Sequence, residues 1–147
     1  MTMYATARTS TIRMIVDTIE PWKGQIDYYE WDGHAESFEL PSSDLVGLVG
    51  FSCTQDGPFH DITFAVGIMA VNDPGLARMT TYVDTFYSRL SAHKKWPMFL
   101  PSGELAGFEA VVFDGTSASP MTRVDVRPTC EITVSARITR PGEWPPR

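Results

Sequence analysis

Three histidines, His34, His60 and His93, are the side chains of this 147-residue chain that titrate near neutral pH. His34 lies between the acidic residues Asp32 and Glu36, and His60 precedes another acid. If a hairpin at His34 folded over a strand at His60, two imidazoles and a carboxylate could bind a metal ion. Loop histidines beside acids are common without any ligand, and His93, followed by two lysines, suits a helix C-terminus. We therefore expect no metal site.

Other catalytic chemistry has equally weak support. Cys53 is the one candidate nucleophile, and its neighbours do not predict an activated thiolate. The pairs Glu30/Asp32 and Glu36/Glu39 could serve in acid–base catalysis, but they belong to an evenly acidic segment that suits a solvated surface. The sequence lacks the phosphate-binding, dinucleotide-binding and nucleophile-elbow motifs. We expect no catalytic, cofactor-binding or metal-binding residues, and therefore not an enzyme.

The charge pattern bounds the function further. The net charge of −6 weighs against a nucleic-acid-binding surface. Nine acids and no Lys or Arg occur from Gly24 to Ala77, which indicates either a solvated face or a surface that meets a basic partner or repels an anion. Cys53 and Cys130 lie in apolar, strand-like patterns typical of buried thiols, which fits a reducing cytosolic origin. No stretch approaches the roughly 20 apolar residues of a membrane span.

The elements that would position these residues centre on the segment from Asp61 to Leu90. Residues 62–70 are apolar at nearly every position, which predicts a strand in the interior of a sheet. Asp73 is a good N-cap and Pro74 fits the first position of a helix. Apolar residues then recur at helical spacing to Leu90, so we predict a long amphipathic helix that packs on the sheet.

The remaining elements follow from periodicity and turn residues. A helix is predicted at Ser10–Glu20, a hairpin of strands at Gln25–Glu30 and Ala35–Leu40, and further strands at Leu45–Cys53 and Ala106–Phe113. Gly47 and Gly50 favour a bulge or a close backbone approach in the Leu45 strand. Residues 96–103 form an apolar loop that either covers the core or, if exposed, anchors another subunit. Residues 114–120 are small and polar, as in a mobile loop tip.

The last predicted element is a long alternating strand from Val124 to Ile138, with apolar residues at even positions and polar residues at odd positions. Pro128 marks an edge or a bulge in it. At ~3.3 Å per residue the strand would be roughly 50 Å long, so we expect part of it to project towards a neighbour. Residues 1–140 are thus predicted as one α+β domain, followed by an irregular Pro-rich tail at 141–147. Its mixed, mainly antiparallel sheet would have five to six strands and two helices packed on one face.

This element order, with the texture of Phe64–Leu90 and of Val124–Ile138, resembles the tail terminator (minor tail protein U-like) family of long-tailed bacteriophages. The resemblance covers about Ser10 to Thr139. It implies a structural virion protein, a homohexameric ring that caps the tail tube, stops its polymerisation and joins it to the head connector or stopper. The implied partners are further copies of the chain, the major tail tube protein and the connector. The implied location is the head-proximal end of the virion tail, and the host cytoplasm during assembly.

In such a ring, genomic DNA would pass through the lumen without specific binding, and no cofactor or membrane would be involved. An acidic lumen would repel phosphates and let DNA slide. The candidate acidic lumen or partner face comprises Glu30, Asp32, Glu36 and Glu39. The candidate inter-subunit or tube contacts are Trp96, Met98, Phe99, Asp114, Met121 and Arg123.

Two alternatives remain open at this point. The first is another head–tail connector or tail-tube component with similar strand and helix texture. The second is a small-molecule-binding or enzymatic α+β domain, with a pocket between the second helix and the sheet and His34 or His60 at its rim. Ring stoichiometry would test the first alternative, and substitution of the histidines would test the second.

Overall fold

A computed structural model describes residues 3–33, 41–124 and 127–143. Two helices and seven strands in these ranges confirm the predicted α+β class. In chain order they are α1 (Met3–Thr18), β1 (Ile26–Tyr28), β2 (Asp44–Asp56), β3 (Phe59–Met69), α2 (Ala77–Arg89), β4 (Lys95–Phe99), β5 (Leu105–Ala118), β6 (Thr122–Val124) and β7 (Arg127–Thr139). Neither helix has the length and apolar composition that a membrane crossing requires in this part of the chain.

The strands form one curled sheet in the order β1-β2-β3-β7-β5-β4, and β6 pairs with β7. β1 is parallel to β2, and the other pairs are antiparallel. Although β7 and β5 separate β3 from β4, the rings of Phe64 in β3 and Trp96 in β4 lie 5.9 Å apart. The sheet therefore bends around its core. Both helices contribute to this one core, and α1 contacts both β2 and β4.

The predicted central strand is confirmed. β3 lies between β2 and β7, and its side chains Ile62, Phe64, Val66 and Ile68 are almost fully buried. The even positions of β7 are buried beside them, from Cys130 to Ile138. Interior strands bury apolar residues on the face that the helices cover. The apolar run of β3 and the alternation of β7 could therefore be recognised in the sequence.

The expected projection of the last strand is wrong. β7 pairs with β3 on one side and with β5 and β6 on the other, so it lies inside the sheet. The last residue pair between β3 and β7 is Met69 with Thr129, and Pro128 lies just beyond it. The Pro128 carbonyl accepts from Ala70 N–H. Its missing donor therefore costs no bond in that ladder.

The two loops predicted after the second helix are largely strands. The apolar segment contains β4, an edge strand that tolerates the exposed Pro97 and buries Trp96 and Met98 in the core. The predicted loop tip at 114–120 is mostly the second half of β5, which resumes pairing with β7 after a register shift between Val112 and Thr116. Gly115, with φ of 126°, makes this irregularity possible.

The first helix begins seven residues earlier than predicted. Its additional turns bury Thr6 and Ala7, which are small or polar and gave no apolar stripe. The buried Ser10 hydroxyl is satisfied by β4, because Ser10 Oγ accepts from Phe99 N–H at 2.8 Å. Val16, predicted on the buried face, is 38% exposed.

The second helix begins at Ala77 instead of Pro74. Leu76 N–H donates to Asp73 O, so the Asp-Pro-Gly-Leu segment turns before the helix starts. The N-cap is therefore Leu76 and not Asp73, although Asp73 Oδ2 accepts from Met79 N–H in the first turn at 2.9 Å.

The hairpin predicted around Trp31 is corrected in its first strand. β1 pairs with β2 in parallel, and Trp31–Gly33 forms a 3₁₀ turn. The proposed second strand at 35–40 falls outside the described residues, as does most of the C-terminal tail. Trp31 packs on the outer face of the sheet against Gly47 and Gly67, where a Cβ at Gly47 would lie 1.9 Å from Tyr29 O. The close backbone approach expected at Gly47 is confirmed, and Gly50, with φ of 61°, lies at the β2 bulge.

Candidate functional site

The predicted contact residues are distributed between core and surface. Trp96 is 2% exposed and Met98 is fully buried, so neither side chain is available to a partner in this conformation. Phe99 is half-buried beneath Arg13, whose guanidinium carbon lies 3.7 Å from the ring centroid. Met121, at 38% exposure, and Arg123 lie on the surface at the β5–β6 turn and in β6. The side chain of Asp114 is not among those described.

The predicted acidic face is largely neutralised within the molecule. Seven of the nine acids between Gly24 and Ala77 are described, and five of them face an arginine from outside that segment. The pairs are Glu30–Arg8, Asp44–Arg78, Asp73–Arg78, Asp56–Arg137 and Asp61–Arg137. Asp27 and Asp32 form no ion pair in the described part, although Asp32 accepts from Gly50 N–H at 3.0 Å. Glu36 and Glu39 lie outside the described residues.

Asp44 is the centre of the most buried of these networks. It lies at the start of β2, is 4% exposed, and accepts from Arg78 Nε at 2.9 Å, Tyr82 Oη at 2.6 Å and Val71 N–H at 2.8 Å. Burial alone would raise the pKa of Asp44, but these hydrogen bonds outweigh it and hold that pKa below its usual value. The network joins α2 to the β1–β2 corner.

Tyr82 extends the network. Its hydroxyl donates to Asp44 and accepts from Gln25 Nε2 at 2.7 Å. Burial, reinforced by the hydrogen bond to Asp44, raises the pKa of Tyr82 to about 12. Both groups are committed to the fold, so this cluster is structural and offers no free acid or base.

Arg137 organises the outer face of the sheet in a similar way. Its Nε and Nη2 donate to Asp61 and Asp56 at 2.8 and 2.9 Å, and its guanidinium lies between the rings of Phe59 and Phe113 at 4.5 and 5.1 Å. The hydrogen bond to Asp61, partly opposed by burial, raises the pKa of Arg137. The arrangement ties β7 to the β2–β3 hairpin.

A groove of about 500 Å³ lies between α1, the end of α2 and β4. We call it the basic groove, because Arg13, Arg89 and Lys94 line it with a single carboxylate, that of Asp17. Burial lowers the pKa of Arg89, whose Nη2 donates to the Lys95 carbonyl at 3.0 Å. None of the three cations forms an ion pair within the described residues.

Sequence reasoning did not find this groove. Arg13 lies about 80 positions before the other two cations, and the sequence signal was the local cluster of Arg89, Lys94 and Lys95 at the end of the second helix. Arg13 joins them because α1 packs against β4.

The sheet also leaves backbone edges uncovered in the described part of the chain. β1 pairs with β2 at Asp44–Val46, so Ser52–Asp56 has β3 on one side and no described strand on the other. On the opposite side, β4 pairs with β5 at Leu105–Val111, which leaves the outer edge of Thr116–Ala118 without a described strand. Such edges can pair with another chain.

The histidines and cysteines considered for metal binding or catalysis do not come together in the described part of the chain. His60 lies in β3 near the hairpin turn, and His34 is outside the described residues. No group of three metal-ligating side chains occurs in the described ranges. Both cysteines are unpaired thiols, Cys130 buried and Cys53 half-buried. Burial, with a smaller contribution from Asp61, raises the pKa of the Cys53 thiol, the opposite of activation.

Comparison with known proteins shows the fold alone. No family model and no curated protein matches the chain. A solved structure without a descriptive name matches with a TM-score of 0.58 and 10% identity, over 92% of this chain and 94% of its own.

Proposed function

We propose that this chain is a phage tail terminator, a structural virion protein that assembles into a hexameric ring on the tail tube. The ring would stop tube polymerisation and present a surface to the head connector. Its partners would be other copies of the chain, the tube protein and the connector, and it would act at the head-proximal end of the tail without catalysing a reaction.

The sheet edges that no described strand covers carry this proposal. The Ser52–Asp56 edge of β2 and the Thr116–Ala118 edge of β5 belong to opposite sides of one sheet. Two different surfaces that meet head to tail generate a ring when the rotation closes. A ring would also cover the edges, which are otherwise prone to uncontrolled association. Part of the element order on which the resemblance rests, a first helix, a long apolar strand, a second helix and a long final strand, is retained in the structure and supports the same interpretation.

The charges are compatible with DNA passing a ring without being held. The chain carries a net charge of −6. Carboxylates facing a lumen would repel phosphates. Within the predicted acidic face, Glu30 would contribute less to this repulsion, because it pairs with Arg8.

A tube-length assay tests the proposal. Tube protein from the same virus would be polymerised with and without this chain, and the products imaged by negative-stain electron microscopy. We expect shorter tubes with a ring at one end. Tubes that grow to the same length and carry no ring would overturn the terminator role. Rings on the connector alone would favour a connector component.

A further inference from the structure

The basic groove brings three cations together without an ion pair in the described part of the molecule. The Arg13 guanidinium stacks on Phe99 at 3.7 Å, Arg89 donates to a backbone carbonyl, and Lys94 is exposed. Asp17 is the only acidic side chain that lines the groove within the described ranges. In a chain with 18 acids and 12 bases, this local excess of positive charge is unusual.

The surroundings of these cations favour a carboxylate ligand. Arg89 and Phe99 are partly buried, so an ion pair formed with Arg89 is less screened by water than one with the exposed Arg13 or Lys94. Ser10, Thr85 and Ser88 add hydroxyl groups to its lining. A partner that brings acidic side chains would gain ion pairs with Arg13 and Lys94.

The same chain provides suitable carboxylates elsewhere. Most described acids of the segment from Gly24 to Ala77 are already paired with arginines, and Asp27 and Asp32 are the two that are not. Asp27 is exposed in β1, which forms one edge of the sheet, and Asp32 follows in the adjoining turn. The basic groove adjoins β4, the other edge strand. Among the described residues, unpaired carboxylates therefore lie at and beside the edge strand β1, and unpaired cations lie beside the other edge strand, β4, whose own Lys95 pairs with Glu109.

We propose that the basic groove of one subunit receives Asp27 and Asp32 of the next subunit, in a head-to-tail contact repeated around the ring. This inference rests on the proposed ring and names the surfaces that meet in it. A second copy fits better than a nucleic acid, because a net charge of −6 repels a phosphate backbone at long range. The contact is heterologous, as ring closure requires.

Charge reversal tests the contact. Assembly with tube protein would be measured by native mass spectrometry for wild type, Arg13→Glu, Asp27→Arg and the combined variant. Arg140→Glu is the matched control for Arg13→Glu, since Arg140 is exposed, has no ion pair in the described part and lies outside the groove. Asp84→Arg, exposed on α2, is the control for Asp27→Arg. Circular dichroism would verify that each variant is folded.

We expect each groove or β1 reversal to weaken assembly by about ten-fold, with restoration in the combined variant, where every interface regains an opposite pair. The controls should assemble like wild type, and the difference between variants should shrink at high salt. If Arg13→Glu assembles normally while wild type forms rings, the groove contact is wrong and the ring stands. If the combined variant is no better than either single variant, the assignment of Asp27 as the occupant is wrong. A wild-type chain that stays monomeric with tube protein overturns the ring and the contact together.

Discussion

Tyr82 Oη donates a 2.6 Å hydrogen bond to Asp44 Oδ2, which joins the middle of α2 to the first residue of β2. The same carboxylate accepts from Arg78 and from Val71 N–H, so one buried acid holds the helix, the strand and the segment between them. This junction supports the edge where β1 pairs with β2.

Replacement of Asp44 by alanine should destabilise the fold strongly. Tyr82 Oη and Val71 N–H would lose their acceptor, and Arg78 would lose its closest carboxylate. We expect the free energy of unfolding to fall by about 3 kcal/mol. Urea denaturation monitored by circular dichroism measures this, with the exposed Asp84→Ala as control. Equal stabilities for the two variants would contradict the role assigned to Asp44.

Tyr82 should make the stability depend on pH at the alkaline end. Its folded-state pKa of about 12 exceeds the ordinary value of 10, so folding favours the neutral phenol. The resulting stabilisation is complete below pH 10 and is lost as pH rises from 10 through 12. Comparison of wild type with Tyr82→Phe by urea denaturation at pH 8 to 12 isolates this contribution from other titrating groups. The difference between the two proteins should shrink with rising pH, and a constant difference would contradict the proposed protonation.

Gly47→Ala should displace the Trp31 turn. The new Cβ would lie 1.9 Å from Tyr29 O and 2.7 Å from Trp31 Cδ1, so backbone must move. We expect the free energy of unfolding to fall by roughly 1–3 kcal/mol and the tryptophan fluorescence to change. At Gly75 a Cβ meets nothing within 4 Å, so Gly75→Ala should leave stability unchanged or slightly raised. A neutral Gly47→Ala would contradict this packing.

Trp96→Ala should act through the core of the monomer. The side chain is 2% exposed, packs against Phe64, and its Nε1 donates to Thr11 Oγ1 at 3.3 Å. We expect a loss of about 3–5 kcal/mol of unfolding free energy at any protein concentration. Tyr87→Ala, at an aromatic side chain 47% exposed, is the control and should cost less than about 0.5 kcal/mol. If the Trp96→Ala monomer is as stable as wild type and only its assembly is impaired, the core role is wrong and Trp96 is a subunit contact.

The sequence predicted the fold where burial imposes a simple period. The alternation is clearest in β3 and β7, because β3 buries Phe64 and its even-numbered neighbours under the helices and β7 does the same with Ile132. The prediction failed where small or polar residues are buried, as at Thr6 and Ala7 in the first turns of α1, and where Pro97 interrupts an edge strand. A pattern of apolar residues does not predict which polar residues are buried, because buried polar groups are satisfied by specific hydrogen bonds that the pattern does not contain.

The candidate interaction surface was less predictable than the fold. The acidic segment was evident, but its pairing with Arg8, Arg78 and Arg137 depends on contacts between distant elements. The basic groove likewise exists only because α1 lies beside α2 and β4. Net charge by segment therefore overstated the exposed acidity and missed the local positive charge.

The most direct test of the central claim is the native mass of the purified chain over a concentration series, with and without tube protein. The proposed ring predicts a hexamer, or a monomer that becomes a hexamer when tube protein is added. A monomer or dimer that is independent of concentration and unaffected by tube protein would contradict it.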